Sequence, residues 1–212
     1  KTAAIISSGW DPGLFSIMRG LFGAALPCGD SYTFWGRGVS QGHSVALRSV
    51  KGVRDAIQYS VPIEEAVASV RRGERPELTT RQKHLRECYV VAEEGADRDE
   101  IAQAIKTMPD YFADYDTQVN FISYEELKAN HSKMPHGGLV MRSGNTGENS
   151  HTLEFSLELE SNPEFTASVL LASARAAARL AEDGVYGAKT LLDIPLYYLH
   201  ADDRMTLIKE LL

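Results

Sequence analysis

Five short phrases of this chain hold the residue types from which a small polar pocket is built. They are Ser8-Gly-Trp-Asp-Pro-Gly13, Phe34-Trp-Gly-Arg-Gly-Val-Ser-Gln-Gly-His43, Arg81-Gln-Lys-His-Leu-Arg-Glu-Cys88, Met134-Pro-His-Gly-Gly138 and Ser161-Asn-Pro-Glu-Phe-Thr-Ala-Ser168. Four of them set polar or aromatic side chains beside Gly or Pro, and the third sets a cluster of charges at the head of an apolar run. Binding groups sit where rigid elements end, and these groups suit a ligand with several charges.

Each residue has a functional and a plain reading. Asp11 before Pro12 reads as a helix cap with Pro12 at the first helical position. A functional carboxylate there would sit on the positive end of the helix and could hold an ammonium group. Trp35 and Gln41 supply an aromatic wall and an amide that donates and accepts, or else a core tryptophan beside a surface loop. Alternation places His84, Arg86 and Cys88 on one side of a strand. A partly enclosed arginine there would take a carboxylate through its fork, whereas the plain reading is a solvated charged face. His136 lies between Pro135 and two glycines, and is otherwise a loop histidine without a ligand. Asn162 reads first as an N-cap, and capping competes with ligand binding for one side chain.

Several chemistries are disfavoured. No second His or carboxylate stands four residues from His136, and the six histidines are scattered, so no metal site is expected. Gly36, Gly38 and Gly42 form a loop without the spacing of a dinucleotide fingerprint. Ser7 and Ser8 lack the Gly-x-Ser-x-Gly elbow of a serine hydrolase.

The elements that must position these groups alternate in type. Strands are expected at Ala3–Ser7, Ser31–Trp35, Ala56–Val61, His84–Ala92, Gln118–Ser123, Gly138–Ser143, His151–Leu159 and Lys189–Ile194. Helices are expected after Asp11 as far as Pro27, and at His43–Val50, Pro62–Arg71, Asp97–Met108 and Tyr124–Asn130. A long alanine-rich helix should follow Asn162 to about Glu182, and a terminal one should cover Asp202–Leu212. Strand and helix mix irregularly, so the fold class is α/β in the mixed α+β sense, a mixed sheet flanked by helices.

The 212 residues carry 22 basic and 29 acidic side chains, a net charge of −7, with 43% hydrophobic residues. This is the composition of a globular domain. No basic stripe is present, so nucleic acid is not an expected partner. The apolar run Val169–Leu180 is broken by Ser173, Arg175 and Arg179, so no membrane span is expected. Cys28 and Cys88 are expected to be reduced, packed thiols in a cytoplasmic protein. The chain opens at Lys1 directly onto a strand-like segment, which reads as a protein with further material upstream.

In this order, Ser-Gly-Trp-Asp-Pro-Gly, Thr-Phe-Trp-Gly, Ser-Gln-Gly-His-Ser and Met-Pro-His-Gly-Gly closely resemble the meso-diaminopimelate dehydrogenase family, from Ile5 to about Pro195. The resemblance implies NADP-dependent, reversible oxidative deamination of the D-centre of meso-2,6-diaminopimelate. The products are ammonia and L-2-amino-6-oxopimelate, which cyclises to tetrahydrodipicolinate, a reaction of lysine and cell-wall biosynthesis. It implies that residues 1–212 are the substrate-binding and dimerisation domain of a Rossmann-type dehydrogenase whose N-terminal nucleotide domain is absent. Residues 189–212 would then pack toward that domain, leaving Leu207, Ile208, Leu211 and Leu212 partly exposed. A homodimer is implied.

Residue by residue, the resemblance puts Asp11 at the reacting amino group and Ser8, Gly9, Trp10, Asp11 and Pro12 at the nicotinamide end of the cofactor. Trp35 would wall the pocket, and Gln41 with the backbone of Gly42 would hold the D-end. Ser60, Arg86 and His136 would grip the far carboxylate, and Asn162 would face the substrate. Ser60 stands where the family more often has Thr. Val45 stands where it usually has an acidic residue, which leaves room for a broad D-amino-acid dehydrogenase. A non-catalytic dimerisation fragment is the third reading.

Overall fold

A computed structural model describes all 212 residues. The chain opens with β1 (Ala3–Ile5), α1 (Leu14–Ala25), β2 (Gly29–Trp35), β3 (Gly38–Val39) and α2 (Gln41–Arg48). The middle holds β4 (Val53–Pro62), α3 (Glu64–Arg71), α4 (Thr80–Lys83), β5 (His84–Ala92), α5 (Arg98–Lys106), β6 (Asp116–Phe121) and α6 (Tyr124–Asn130). It closes with β7 (His136–Thr146), β8 (Asn149–Leu159), α7 (Asn162–Glu182), β9 (Gly187–Lys189), a short 3-10 turn at Leu191–Asp193, α8 (Leu196–Leu199) and α9 (Arg204–Leu211). The class is the expected one: mixed sheets flanked by helices. Two compact units divide the chain, Cys28–Asn162 and the pair of segments Lys1–Pro27 and Pro163–Leu212.

The Cys28–Asn162 unit contains a four-stranded sheet in the order β3-β4-β5-β6, antiparallel except for the parallel β5–β6 pair. β4 is buried from Ala56 through Ser60 because both faces are covered. On one face Ala56, Cys88 and Val90 pack with Leu47 of α2, Ile101 and Ile105 of α5, and Phe112. On the other, Ile57, Tyr59 and Val91 pack with Leu127 of α6. A second, antiparallel sheet runs β2-β7-β8. Its Tyr32, Phe34 and Met141 bury against Ala66, Val67 and Val70 of α3, each such side chain contributing roughly 1.5–3 kcal/mol.

In the other unit β1 and β9 pair in parallel. Its core is Ala176, Leu180, Leu191 and Ile194, with Ala3, Ile5 and Ile17 packed on it. Two expectations are corrected in this unit. The strand expected at Lys189–Ile194 ends at Lys189, because Thr190 and Asp193 cap each other: Thr190 N–H donates to Asp193 Oδ2 at 2.7 Å and Leu192 N–H to Thr190 Oγ1 at 3.3 Å. The terminal helix starts at Arg204, after its cap Asp203, which takes the Met205 and Thr206 N–H groups at 2.8 and 3.1 Å. Leu207 is buried, while Leu211 and Leu212 are 70% and 100% exposed. Cys88 is buried as expected, but Cys28 is exposed at the entry to β2. No helix is long and apolar enough to cross a membrane.

Candidate functional site

Three of the polar residues singled out in the Cys28–Asn162 unit, Ser60, Arg86 and His136, gather at one row of the four-stranded sheet. Gly38, Ser60, Arg86 and Thr117 are successive partners across β3, β4, β5 and β6. Directly paired residues point to the same face, so Ser60 and Arg86 share one side, and the guanidinium of Arg86 donates to Ser60 Oγ. His136 joins them from the start of β7. A Cβ built on Gly38 would stand 2.5 Å from Cγ and Nδ1 of His136. The imidazole thus occupies the space of the missing Gly38 side chain, on the face that carries Ser60 and Arg86. Only glycine permits this approach, and Gly38, expected in a loop, lies in β3 through its pairing with Ser60. Gly42, expected in the same loop, lies in the first turn of α2.

Arg86 is 3% exposed. Its guanidinium lies 3.8 Å from the ring centroid of Tyr115, and no Asp or Glu pairs with it. Burial pulls its pKa below the ordinary arginine value, opposed by Tyr115, yet a guanidinium keeps its proton. The result is a buried positive charge without an anion of its own, a cation–π platform that suits a carboxylate.

Two histidines near it, His84 and His43, are held neutral near pH 7. His84 is pushed down to about 4 by burial, then by Arg86 and Lys83. Its Nε2 accepts the Trp35 N–H at 2.9 Å, and the two rings stack at 5.2 Å. His43 is likewise pushed to about 4 by burial and by Arg86, with Nδ1 2.7 Å from Ser40 Oγ.

Gln41 begins α2 and is exposed, its Nε2 3.3 Å from Met134 Sδ. The Met134 carbonyl in turn accepts the Asn162 N–H at 2.9 Å. Met134-Pro-His136 therefore links Gln41, Asn162 and the Gly38 row. α7 begins at Asn162 itself, so this residue is the first of the helix and not the cap before it.

Asp11 belongs to the other unit and departs from its expected role. α1 starts at Leu14, with Gly13 before it, and the Asp11–Pro12 peptide is cis. The first helical N–H groups go to main-chain oxygens: Leu14 to Gly9 at 3.1 Å and Phe15 to Trp10 at 2.8 Å. The turn that brings those carbonyls in needs Gly13, whose φ is 144° and whose Cβ would lie 1.7 Å from the Gly9 oxygen. Backbone capping spares the Asp11 carboxylate, which accepts from Arg19 Nη2 at 2.7 Å and is 11% exposed. Ser16 Oγ stands 3.3 Å from the same nitrogen. Trp10 is buried, edge-on to Phe15 at 5.1 Å. Ser8 and Gly9 are half-buried and Pro12 is exposed.

Arg19 and Tyr115 escape a reading of the sequence. Ser16 and Arg19, three apart on α1, were the available hint of a polar patch beside the Asp11 turn. Tyr115 had none, because its place under Arg86 follows from the β5–β6 register.

Fold and cluster together define a mixed α/β protein with a buried arginine set among polar neighbours on one sheet row. The chain belongs to the family described as diaminopimelic acid dehydrogenase C-terminal domain, whose model matches residues 9–161. It is 62% identical over 216 residues to the meso-diaminopimelate D-dehydrogenase of Acetivibrio thermocellus, covering 100% of this chain and 64% of that protein. A six-substitution mutant of the Clostridium tetani meso-diaminopimelate dehydrogenase, solved with diaminopimelate, matches with a TM-score of 0.94 and 55% identity over 98% of this chain and 65% of that one. An engineered D-amino acid dehydrogenase bound to NADP+ matches with a TM-score of 0.87 and 44% identity over 100% of this chain and 66% of that one. The chain thus spans just under two-thirds of the length of these relatives.

Proposed function

We propose that this chain is the substrate-holding and dimerisation part of a cytoplasmic enzyme that oxidatively deaminates the D-centre of meso-2,6-diaminopimelate, with NADP as hydride acceptor. The observation that carries the reading is the row His136–Gly38–Ser60–Arg86, with its buried guanidinium lacking an acidic partner. The mutant Clostridium tetani relative adds support. Its six substituted residues are a Gln, a Thr, an Arg, an adjacent Pro and His, and an Asn. They follow one another there at the spacing of Gln41, Ser60, Arg86, Pro135, His136 and Asn162 here, to within one residue.

In this reading Arg86, Ser60 and His136 take the carboxylate of the L-end, by charge-assisted hydrogen bonds. Gln41, the Gly42 backbone and Asn162 receive the rest of the zwitterion, and Trp35 walls it. Asp11 is assigned to the amino group of the D-carbon by the family resemblance. That ammonium must lose a proton before its nitrogen can share electrons with a carbon losing hydride. The Asp11 carboxylate takes the proton, directly or through water. Water then adds to the substrate imine and ammonia leaves. Distal clamping holds the D-carbon in one orientation, so remote binding supports the chemical step.

When bound, NADP supplies the two-electron oxidation. This chain would offer it the Ser8–Pro12 segment, in which Ser8 and Gly9 are half-buried. A nucleotide-binding domain would account for the remaining third of the family's length. Docking of residues 189–212 toward it is part of the same proposal. A homodimer belongs to the same proposal, to be tested by light scattering.

Replacing Arg86 by Met in the full-length enzyme tests the assignment. The expected result is a loss of kcat/KM of at least a hundredfold on diaminopimelate and less than tenfold on a D-amino acid with an apolar side chain. Equal losses on both substrates would remove the clamp. A second reading, a broad D-amino-acid dehydrogenase, is favoured by Val45, which is 63% exposed one helical turn beyond Gln41. Kinetics on a panel of D-amino acids separates the two.

A further inference from the structure

Gln58 is wholly buried in the middle of β4, and neither its amide oxygen nor its amide nitrogen has a hydrogen-bond partner. Nε of Arg86 is the one other buried side-chain atom in that condition. The two residues are diagonal neighbours on one face of the sheet. Gln58 pairs with Cys88, and Ser60, two residues on, pairs with Arg86. Long side chains in that relation reach each other. The Gln58 backbone is already held, its N–H donating to Ser44 Oγ at 3.0 Å, so the residue cannot slide out as a block.

A buried amide left unpaired forfeits its hydration with no return. Methionine would fill the same volume without that penalty. The unmet groups are complementary: Arg86 Nε–H donates and Gln58 Oε1 accepts. We propose that Gln58 is a positioning residue for the carboxylate clamp. One ordered water accepts from Arg86 Nε–H and donates to Gln58 Oε1. A buried water with polar partners of both senses is the ordinary occupant of such a place. With Nε tied back and the guanidinium plane lying on Tyr115, both terminal nitrogens are presented to Ser60 and to the ligand carboxylate. Loosening Nε lets the plane rotate and spoils the bidentate geometry. Gln58 touches no reacting atom in this account and acts through Arg86.

The inference rests on the reading of Arg86 as the clamp, and its test separates the two. In the full-length enzyme, Gln58→Met should raise KM for diaminopimelate at least tenfold while kcat falls less than threefold. KM for an apolar D-amino acid should change less than threefold. A merely structural role would move both KM values together, or neither, and either result overturns the proposal. Gln58→Glu guards against a Met variant that fails to fold. Its carboxylate would bind Arg86 internally and raise KM for diaminopimelate further, and an unchanged KM in that variant also overturns the proposal. If Arg86→Met shifts substrate preference and Gln58→Met does not, only the Gln58 assignment falls. If Arg86→Met shifts nothing, both fall.

Discussion

His136 fills the space of the side chain that Gly38 lacks. A Cβ on Gly38 would lie 2.5 Å from the imidazole and 2.8 Å from the His136 Cα. This contact brings β7 and the Ser60–Arg86 pair into one group.

Gly38→Ala should therefore push His136 off the row. Overpacking of this kind costs roughly 1–3 kcal/mol, and a urea titration would read it. If the proposed function holds, KM for diaminopimelate should rise in the same variant of the full-length enzyme. Gly42→Ala is the contrast: nothing stands within 4 Å of its Cβ, and it lies within α2. That change should leave stability equal or raise it by about 0.5–1 kcal/mol through helix propensity. Equal destabilisation by both would show that the Gly38 contact is not the cause.

The Asp11–Arg19 pair should be measurable as a coupling. One partner is 11% exposed and the other 32%, so the pair is neither a fully solvated bridge nor a dry one. Arg19→Met and Asp11→Asn should each cost about 1 kcal/mol. The double variant should cost little more than either single one, a double-mutant cycle read by denaturation. Full additivity would mean that the two side chains do not stabilise each other.

Acid should destabilise the fold through His84 and His43. Both are held at about 4 in the folded chain, against 6.5 when unfolded. Between those values the unfolded chain binds more protons, so stability rises with pH there. It should be flat above about pH 7 and fall as pH drops from about 6.5 toward 4, by on the order of 2–3 kcal/mol for His84, the more enclosed of the two. Urea midpoints across that window should show the slope, and His84→Gln should make it shallower, leaving the share of His43. An unchanged slope in that variant would assign the acid sensitivity elsewhere.

Much of this molecule is legible locally. β5 and α6 fall at the expected His84–Ala92 and Tyr124–Asn130, because alternation and helical spacing are properties of neighbouring residues. Alternation alone put His84, Arg86 and Cys88 on one face, and all three are buried together. The thiol of Cys88 follows, pushed to about 12 mainly by burial. Where local signals misled, a neighbour in space had the larger claim. Asp11 looked like a cap, but backbone oxygens cap α1 and the carboxylate turns to Arg19. Lys189–Ile194 looked like a strand, but Thr190 and Asp193 close a turn there.

Residue types and short spacings determined which polar and charged groups this protein carries and which elements bear them. Tertiary structure alone decided that Ser60 faces Arg86, that His136 rests on Gly38, that Tyr115 lies under the guanidinium and that Gln58 is sealed inside. Those relations depend on strand register and chain reversal across tens of residues. No local period encodes them, since they are settled by which pairing buries the most apolar surface while leaving the fewest polar groups unmet.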